Sequence, residues 1–363
     1  MRTLVISDLH LGTRNSAGVL ERPTALAALV AALDGVEQLV LLGDTIELRQ
    51  GPARDALVAA EPVLRALGAA MAGRDVVIVP GNHDHGLARH WLDETPPLSL
   101  EERVAPEVGS PLAAALAGFL APARVELAYP GLWLRDDVYA THGHYLDVHG
   151  TVPSFERIGA GMMTRLSGAP PERGATPTDY EAILAPIYAW IDAAAARSGD
   201  GRRAAGHGRS AQAWNALAGP GRNTLRKRAL IAGFPVGIAA LNRAGVGPLR
   251  ADVSGDALRR GLLDGLRTAL TRLDVRAAHV IFGHTHRPGQ RDDDDPTEWR
   301  MGDTRLHNTG SWVYEPHFIG GRGPAAAHWP GTAVSVAADG EPELLRLLAD
   351  VTESELRPVR SRA

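Results

Sequence analysis

TLVISDLHLG, residues 3–12, contains the first strong structural signal of this chain. A short, β-branched apolar run over residues 3–7 leads directly to two polar side chains, Asp8 and His10. An apolar run without polar alternation is typical of a strand that is buried on both faces. The pattern therefore predicts an interior strand with an acid and an imidazole at its carboxyl end.

The same arrangement recurs at four more apolar runs, residues 38–42, 76–79, 137–141 and 279–282. Each run stops at polar groups, which are Gly43-Asp44, Gly81-Asn82-His83-Asp84, His142-Gly143 and Gly283-His284-Thr285-His286. Ligands of open α/β sheets bind beyond the carboxyl ends of the strands. Residues two apart in extended backbone point to the same side, so each of the pairs Asp8/His10 and His284/His286 offers two ligands to one place.

The first third of the chain alternates strands and helices. Amphipathic helices are predicted over residues 23–34 and 55–71, between the strands at 3–7, 38–42 and 76–79. This β-α-β-α-β order predicts a parallel sheet covered by helices. Three short strands follow over 124–128, 132–134 and 137–141, and we expect them to form a meander because Pro-Gly and Asp-Asp pairs separate them.

The middle of the chain has a different character. Residues 152–275 are Ala-rich and mostly helical in pattern, with candidate helices near 178–197, 210–218, 222–244 and 255–273. Strand signals return at 279–282, 304–309, 332–337 and 343–348. We therefore predict a core formed by residues 1–151 and 276–350, a helical insertion or cap over 152–275, and a tail over 351–363 whose last seven residues are basic in character.

Composition narrows the chemistry. The 363 residues carry a net charge of −4, with no cysteine and 14 histidines. A weakly acidic chain lacks the positive field of a non-specific nucleic-acid binder, and we expect no specific nucleic-acid binding. The absence of cysteine excludes disulfides, thiolate zinc sites and cysteine nucleophiles. Oxygen and imidazole ligands suit Mn, Fe, Zn, Co or Ni.

The N-terminal residues and the longest uncharged run of the chain indicate where in the cell the protein is expected. The apolar run at the N-terminus is too short for a signal peptide and soon meets the polar residues Asp8 and His10, so a cytoplasmic protein is expected. The run ALIAGFPVGIAALN, residues 229–242, falls below the roughly 20 residues of a spanning helix. It is either a buried helix or an interfacial segment, so peripheral membrane contact stays open as an alternative.

Taken together, these motifs resemble the calcineurin-like metallophosphoesterase superfamily. The matching residues are Asp8-Leu9-His10, Gly43-Asp44, Gly81-Asn82-His83-Asp84, His142 and Gly283-His284-Thr285-His286. The resemblance implies an α/β (α+β) fold of two packed mixed β-sheets flanked by helices, a four-layer αββα sandwich, here with a helical insertion. It also implies a metal-dependent phosphohydrolase with a dinuclear metal centre at the sheet edge.

The resemblance assigns roles residue by residue. Asp8, His10 and His286 would hold the first metal, Asn82, His142 and His284 the second, and Asp44 would bridge both. The cofactors would be two divalent transition-metal ions, with Mn favoured, and a metal-bridging hydroxide would attack a phosphate ester or pyrophosphate bond. His83 would be the catalytic acid, with Asp84 orienting its ring.

Within the superfamily the chain looks most like bacterial phosphoesterases distantly related to UDP-2,3-diacylglucosamine hydrolase. It departs from that enzyme at His83, where Arg is usual, and at His144, where Asp is usual. A small phosphorylated substrate is expected, which leaves nucleotide, sugar-phosphate and lipid-linked classes open. The alternatives are a lipid-linked pyrophosphatase and a catalytically silent scaffold with the same fold.

Several residues near the motifs are further candidates. Arg14 and Asn15 follow Gly12 and are predicted to reach a substrate phosphate, with His144 and Trp312 as additional substrate-binding candidates. Glu47 follows the bridging aspartate, and we expect it to orient a neighbour rather than to bind metal. The acidic run at residues 292–295 is interpreted as a solvated loop.

Overall fold

The computed structural model describes residues 1–14, 17–94, 97–197, 225–252 and 254–357, with the backbone alone over 225–232. Contacts divide the chain into two compact units. The core unit comprises Met1–Gly143 and Arg276–Ala363, and the insertion unit comprises His144–Val275. The predicted insertion over residues 152–275 falls within the second of these units, and the predicted domain bounds stay a prediction.

The strands of the core unit form two sheets among the described residues. They are β1 (Thr3–Ile6), β2 (Gln38–Leu42), β3 (Asp75–Val79), β4 (Glu102–Val104), β5 (Arg124–Tyr129), β6 (Gly131–Arg135), β7 (Val138–Thr141), β8 (His279–Phe282), β9 (Arg300–Met301), β10 (Thr304–Asn308), β11 (Thr332–Val336) and β12 (Glu343–Arg346). The seven-stranded sheet has the order β12-β11-β1-β2-β3-β5-β4, and the five-stranded sheet has the order β6-β7-β8-β10-β9.

Both sheets are mixed. In the larger sheet β1, β2, β3 and β5 are parallel neighbours, while β11 and β4 pair antiparallel to β1 and β5. In the smaller sheet β8 is parallel to both β7 and β10, and β6 and β9 pair antiparallel at the edges. The predicted parallel order of the first three strands is confirmed.

The predicted meander over residues 124–141 is wrong for its first strand. β5 continues the larger sheet parallel to β3, with Ile78 opposite Leu127, and only β6 and β7 form a hairpin in the other sheet. Pro130 lies between the two sheets and has no N–H to donate to a ladder, so the chain leaves one sheet there and enters the next. Local turn signals do not reveal this change because the partner of β5 is distant in sequence.

Helices cover the strands and build the insertion unit. They are α1 (Pro23–Ala32), α2 (Ala53–Ala70), α3 (Arg89–Glu94), α4 (Pro106–Gly109), α5 (Pro111–Phe119), α6 (Phe155–Ser167), α7 (Pro177–Ala196), α8 (Leu225–Arg243), α9 (Gly255–Arg272), α10 (Pro316–Ile319) and α11 (Glu353–Leu356). The predicted helix at 210–218 lies outside the described residues. No described helix is long and apolar enough to cross a membrane.

Alternation along each strand separates two cores. In β2 the side chains of Leu39 and Leu41 belong to the core that also includes residues of α1, α2 and α5. Val40 and Leu42 belong to a second core, which the two sheets share. Both faces of β2 are therefore buried, as its continuous apolar sequence predicts. The result is two mixed sheets packed face to face and flanked by helices, so the predicted fold class is confirmed.

The insertion unit has a core of its own. Tyr145, Tyr180 and Tyr188 are buried in it together with aliphatic residues of α7. The rings of Tyr145 and Tyr180 stack with centroids 4.7 Å apart, and the Tyr145 hydroxyl donates to Glu181 at 2.7 Å. This unit therefore has packed aromatic contacts of its own.

Candidate metal centre

The ends of β1, β2, β3, β7 and β8 bring all seven predicted ligand residues together. Three overlapping groups of acids and imidazoles have ligand atoms within 4.8 Å of one another. They are Asp8 with His10 and His286, Asp44 with His142 and His284, and Asp44 with His10 and His83. We call Asp8, His10 and His286 the first half of the centre, and Asn82, His142 and His284 the second half.

In the first half the ring nitrogens face each other and a carboxylate. His10 Nε2 lies 3.1 Å from His286 Nε2, which in turn lies 3.3 Å from Asp8 Oδ1. All three residues are buried. Water therefore has little access to these three groups.

In the second half the side chain of Asn82 contacts both imidazoles. Its Oδ1 lies 3.1 Å from His142 Nε2 and 3.0 Å from His284 Nδ1. Asp44 connects the halves, because its Oδ2 is 3.4 Å from His142 Nε2 and 3.6 Å from His10 Nε2. One carboxylate oxygen thus faces an imidazole of each half.

The backbone of the ligand positions is unusual. Asp8, His10, Asp44, His284 and His286 all have positive φ, between 45° and 68°. L-residues other than glycine rarely adopt this left-handed conformation, although Asp, Asn and His adopt it more often than most. Each such residue costs roughly 1 kcal/mol or more. The strand ends are therefore held in these turns by the surrounding structure.

Two glycines make room for the ligands. A Cβ at Gly43 would overlap the ring of His142, and a Cβ at Gly81 would overlap the carboxylate of Asp44. Gly43 also has a φ of +87°. The glycines before Asp44 and Asn82 therefore allow the end of β7 to approach the ends of β2 and β3.

The outward-facing nitrogens of three imidazoles have fixed partners. His10 Nδ1 lies 3.2 Å from Glu47 Oε2, His286 Nδ1 lies 3.1 Å from Glu315 Oε2, and His142 Nδ1 lies 2.9 Å from the carbonyl oxygen of Leu42. Carboxylates and carbonyls only accept, so these Nδ1 atoms donate. In each neutral ring Nε2 then carries the lone pair and points toward the centre.

The donor set fits divalent metal ions. With Nδ1 protonated, His10 Nε2 and His286 Nε2 present two lone pairs to each other at 3.1 Å. The buried Asp8 Oδ1 faces His286 Nε2 at 3.3 Å, and in the neutral ring this nitrogen carries a lone pair and cannot donate to it. Lone pairs and carboxylate oxygens converging in a buried site repel unless a cation lies among them. The residues present therefore suit cations held by nitrogen and oxygen.

Protons partly take the place of cations in the metal-free protein. Burial lowers the pKa of His142, but the charge of Asp44 outweighs it and raises that pKa to about 9. Burial likewise opposes charge on His286 and His10, yet Glu315 and Glu47 raise their pKa values above the usual range. Burial disfavours the charge on Asp44, but His142 and His83 hold its pKa well below the usual value.

His83 lies beside the centre with a different partner from the one predicted. We predicted that Asp84 orients its ring, but the structure gives this contact to Glu47, whose oxygens are 3.0 Å from His83 Nδ1. Glu47 also faces His10, so its carboxylate contacts two imidazoles, and its orienting role stays a prediction. The backbone N–H of His83 donates to Asp44 Oδ1 at 2.8 Å. Burial lowers the pKa of His83.

Asp84 supports the loop instead. Its carboxylate accepts from the backbone N–H groups of Gly81, Thr45, Asp44 and Ile46, at 2.6 to 3.3 Å. Burial, followed by the charge of Asp44, raises the pKa of Asp84 to about 6. The side chain therefore joins the end of β2 to the end of β3.

The four residues predicted to contact substrate differ in their surroundings. Arg14 is exposed and pairs with Asp55 at 3.3 Å, and Asn15 lies outside the described residues. His144 is buried in the insertion unit, where its ring contacts Tyr145. Trp312 is fully buried in the helix-side core of the larger sheet. The backbone N–H of Trp312 donates to the carbonyl oxygen of Asp8 at 3.0 Å. The substrate-binding roles of Arg14, Asn15, His144 and Trp312 stay predictions.

Sequence reasoning missed two residues and misjudged a third. Glu315 follows no motif, and only its carboxylate type marks it as a partner for an imidazole. Arg49 is fully buried close enough to His83 to influence its pKa. In the acidic run, Asp294 is buried and forms a two-pronged ion pair with Arg287, so the interpretation as a solvated loop is wrong for this residue.

Two mixed sheets with acids and imidazoles gathered at their strand ends are the architecture of a metal-dependent enzyme. The family model described as calcineurin-like phosphoesterase matches residues 1–183, half of the chain. The chain therefore belongs to the calcineurin-like phosphoesterase family. This membership confirms the predicted superfamily and enzyme class, a metal-dependent phosphohydrolase. The similarity to UDP-2,3-diacylglucosamine hydrolase stays a prediction.

Solved structures of two phosphatases align with most of the chain. A dimetal phosphatase from Danio rerio is 14% identical with a TM-score of 0.35, and the alignment covers 96% of this chain and 99% of that protein. A cold-active protein-tyrosine phosphatase from a psychrophilic Shewanella species is 13% identical with a TM-score of 0.29, over 95% and 80%. No curated protein sequence matches the chain. The fold assignment therefore rests on the strand order described above.

Proposed function

We propose that the first and second halves of the centre each hold one divalent transition-metal ion, with manganese favoured, and that Asp44 bridges them. The observation that carries this proposal is the position of Asp44 Oδ2, 3.6 Å from His10 Nε2 and 3.4 Å from His142 Nε2. A shared carboxylate reduces the repulsion between two neighbouring cations. The remaining ligands are Asp8 and His286 on one side, and Asn82 and His284 on the other.

The chemistry follows from this arrangement. Bound ions supply Lewis acidity toward phosphate oxygens and lower the pKa of water. The residues of the chain fix the geometry, since Glu47 accepts from the Nδ1–H of His83 and so holds the orientation of its ring. Before the reaction His83 would take up a proton from solvent at Nε2, and the Glu47 carboxylate would balance the charged ring. His83 would then give this proton to the departing oxygen of the phosphate ester and return to the neutral ring with its proton on Nδ1.

The proposed substrate is a small phosphorylated molecule, and the bond cleaved is a phosphate ester or a pyrophosphate. The presence of His83 after Asn82 favours a general phosphoesterase over the lipid-linked pyrophosphatase predicted as an alternative. A catalytically silent scaffold is the second alternative, which the complete set of ligand residues disfavours. A cytoplasmic location remains a prediction.

A metal-reconstitution assay tests the proposal. The full chain is stripped with a chelator, reloaded with Mn²⁺, Zn²⁺, Co²⁺ or Ni²⁺, and assayed on an aryl phosphate monoester, an aryl diester and a nucleoside diphosphate sugar. We expect two ions per chain and turnover that requires them. Asp44→Asn should lose both the bound ions and the turnover. Asp75→Asn, at a partly exposed ion pair with Arg124, should behave as wild type. Full turnover without any divalent ion, or by Asp44→Asn, would refute the proposal.

A further inference from the structure

Glu315 lies behind the first half of the centre. Its Oε2 is 3.1 Å from His286 Nδ1, and the two side chains are only 14% and 8% exposed. His286 Nε2, on the opposite side of the ring, faces Asp8 Oδ1 and His10 Nε2. The carboxylate is therefore placed where it contacts a ligand candidate without being one of the predicted ligands.

The chemistry of this contact decides the state of the ring. A carboxylate accepts and does not donate, so the proton of neutral His286 must lie on Nδ1. The lone pair then lies on Nε2, which is the nitrogen directed at Asp8 and His10. Without an acceptor at this position, the ring could carry its proton on Nε2 or rotate about its bond to Cβ. Either change would remove a ligand atom from the first half.

The backbone of Glu315 is fixed against the strand that carries Asp8. Trp312 lies three residues before Glu315, and its N–H donates to the carbonyl of Asp8 at 3.0 Å. The N–H of Tyr314 donates to Ala17 at 2.7 Å, and the Glu315 carbonyl accepts from Phe318 at the start of α10. A shift of the Glu315 backbone would therefore disturb several backbone hydrogen bonds.

We propose that Glu315 is a positioning residue, which selects the tautomer and orientation of His286 for binding a divalent cation in the first half. This inference rests on the proposed function, because it needs His286 to be a ligand. The effect should be confined to one of two binding steps, since His142 in the second half gives its Nδ1–H to the Leu42 carbonyl. Removal of such an outer partner typically weakens metal affinity about 10- to 100-fold.

The test compares two substitutions by calorimetric titration of the metal-free full chain with Mn²⁺. Glu315→Ala should weaken one of the two binding steps about 10- to 100-fold and leave the other within about twofold. Glu315→Gln should stay within about fivefold of wild type, because its amide oxygen still accepts from Nδ1. Glu341→Ala, at an exposed ion pair with Arg305, is the control.

Each result decides the matter. Two wild-type binding steps in a folded Glu315→Ala variant, or equal weakening in the Gln and Ala variants, would overturn the positioning role. Circular dichroism of both variants establishes that they are folded, and the Gln variant keeps the test valid if the Ala variant is not. If the wild-type chain binds no Mn²⁺ at all, it is the proposed function that fails.

Discussion

The two halves of the metal centre share Asp44 but differ in charge. The first half includes the carboxylate of Asp8, and Glu47 and Glu315 accept from its imidazoles. The second half offers the neutral amide of Asn82, and the Leu42 carbonyl is the partner of its His142. Affinity for a hard cation rises with the number of charged ligands around it. Two sites with similar ligand atoms should therefore bind the same ion with different strength, the first half more tightly.

The largest expected effect comes from removing the charge that is unique to the first half. Asp8→Asn keeps the size of the side chain and a residue type that tolerates positive φ. We expect loss of one ion per chain and a fall in kcat/KM of about 10³-fold. Metal analysis and steady-state kinetics measure both, with Asp75→Asn as control. A variant that retains two ions and normal turnover would remove Asp8 from the ligand set.

The next effect separates turnover from metal binding. His83 contacts Glu47, which also accepts from His10 of the first half, and its backbone N–H donates to Asp44, but we propose it as an acid rather than a ligand. His83→Asn should lower kcat about 10²- to 10³-fold while the chain still binds two ions. His90→Asn, at an exposed position, should change neither quantity. Loss of an ion in the His83 variant would make it part of the ligand set instead.

A glycine substitution perturbs the second half through its packing. A Cβ at Gly43 would overlap the His142 ring, and its φ of +87° strains any L-residue. Gly43→Ala should lower the free energy of unfolding by about 3 kcal/mol. Gly73→Ala, also at positive φ but with open space around it, should cost only about 1 kcal/mol. Chemical denaturation of the metal-free proteins gives both values, and equal costs would show that the overlap is relieved.

Proton competition offers a smaller test of the second half. In the metal-free protein the charge of Asp44 raises the pKa of His142 to about 9, although burial alone would lower it. A metal ion needs the neutral ring, so below that pH each binding event must displace a proton. Affinity should therefore rise about tenfold per pH unit between pH 7 and 9 for each imidazole so affected. Mn²⁺ titrations at several pH values measure the slope, and a flat profile would contradict the raised pKa.

The smallest expected effect comes from making the halves alike. Asn82→Asp adds a carboxylate to the second half and keeps the size of the ligand. The weaker Mn²⁺ binding step should tighten about tenfold, because the ligand charge count then matches that of the first half more closely. Asn82→Ala should weaken the same step. If the stronger step changes in both variants, the assignment of Asn82 to the second half is wrong.

The sequence predicted the strands that matter most, for a physical reason. β1, β2, β3 and β8 are buried on both faces, so their apolar runs are continuous and end abruptly at polar ligands. β4, Glu102–Val104, has three partly exposed or exposed residues and gives no such signal. α6 was not predicted as a separate helix, since Gly159 and Gly161 interrupt its pattern.

In the site, too, residues next to strand ends are predictable from the sequence, whereas contacts between distant segments are not. Asp44 and Asn82 are predictable because each lies within three residues of the end of its strand. Glu315 is not, because it meets His286 only through hydrogen bonds between distant segments, 29 residues apart in sequence. The partner of His83 was assigned to its sequence neighbour Asp84, whereas Glu47, 36 residues away, has the suitable position. Ligands follow strand ends, but the groups that orient them depend on the tertiary fold.

The positive φ angles of the ligand candidates also limit how this centre can change during evolution. Asp8, His10, Asp44, His284 and His286 occupy a region of backbone space that β-branched residues almost never enter. A lineage that lost the need for metal could replace them with Asn or Gly at little cost in stability, but hardly with Val or Ile. Inactive descendants should therefore carry asparagine or glycine at these positions. Their folds would survive the loss of chemistry.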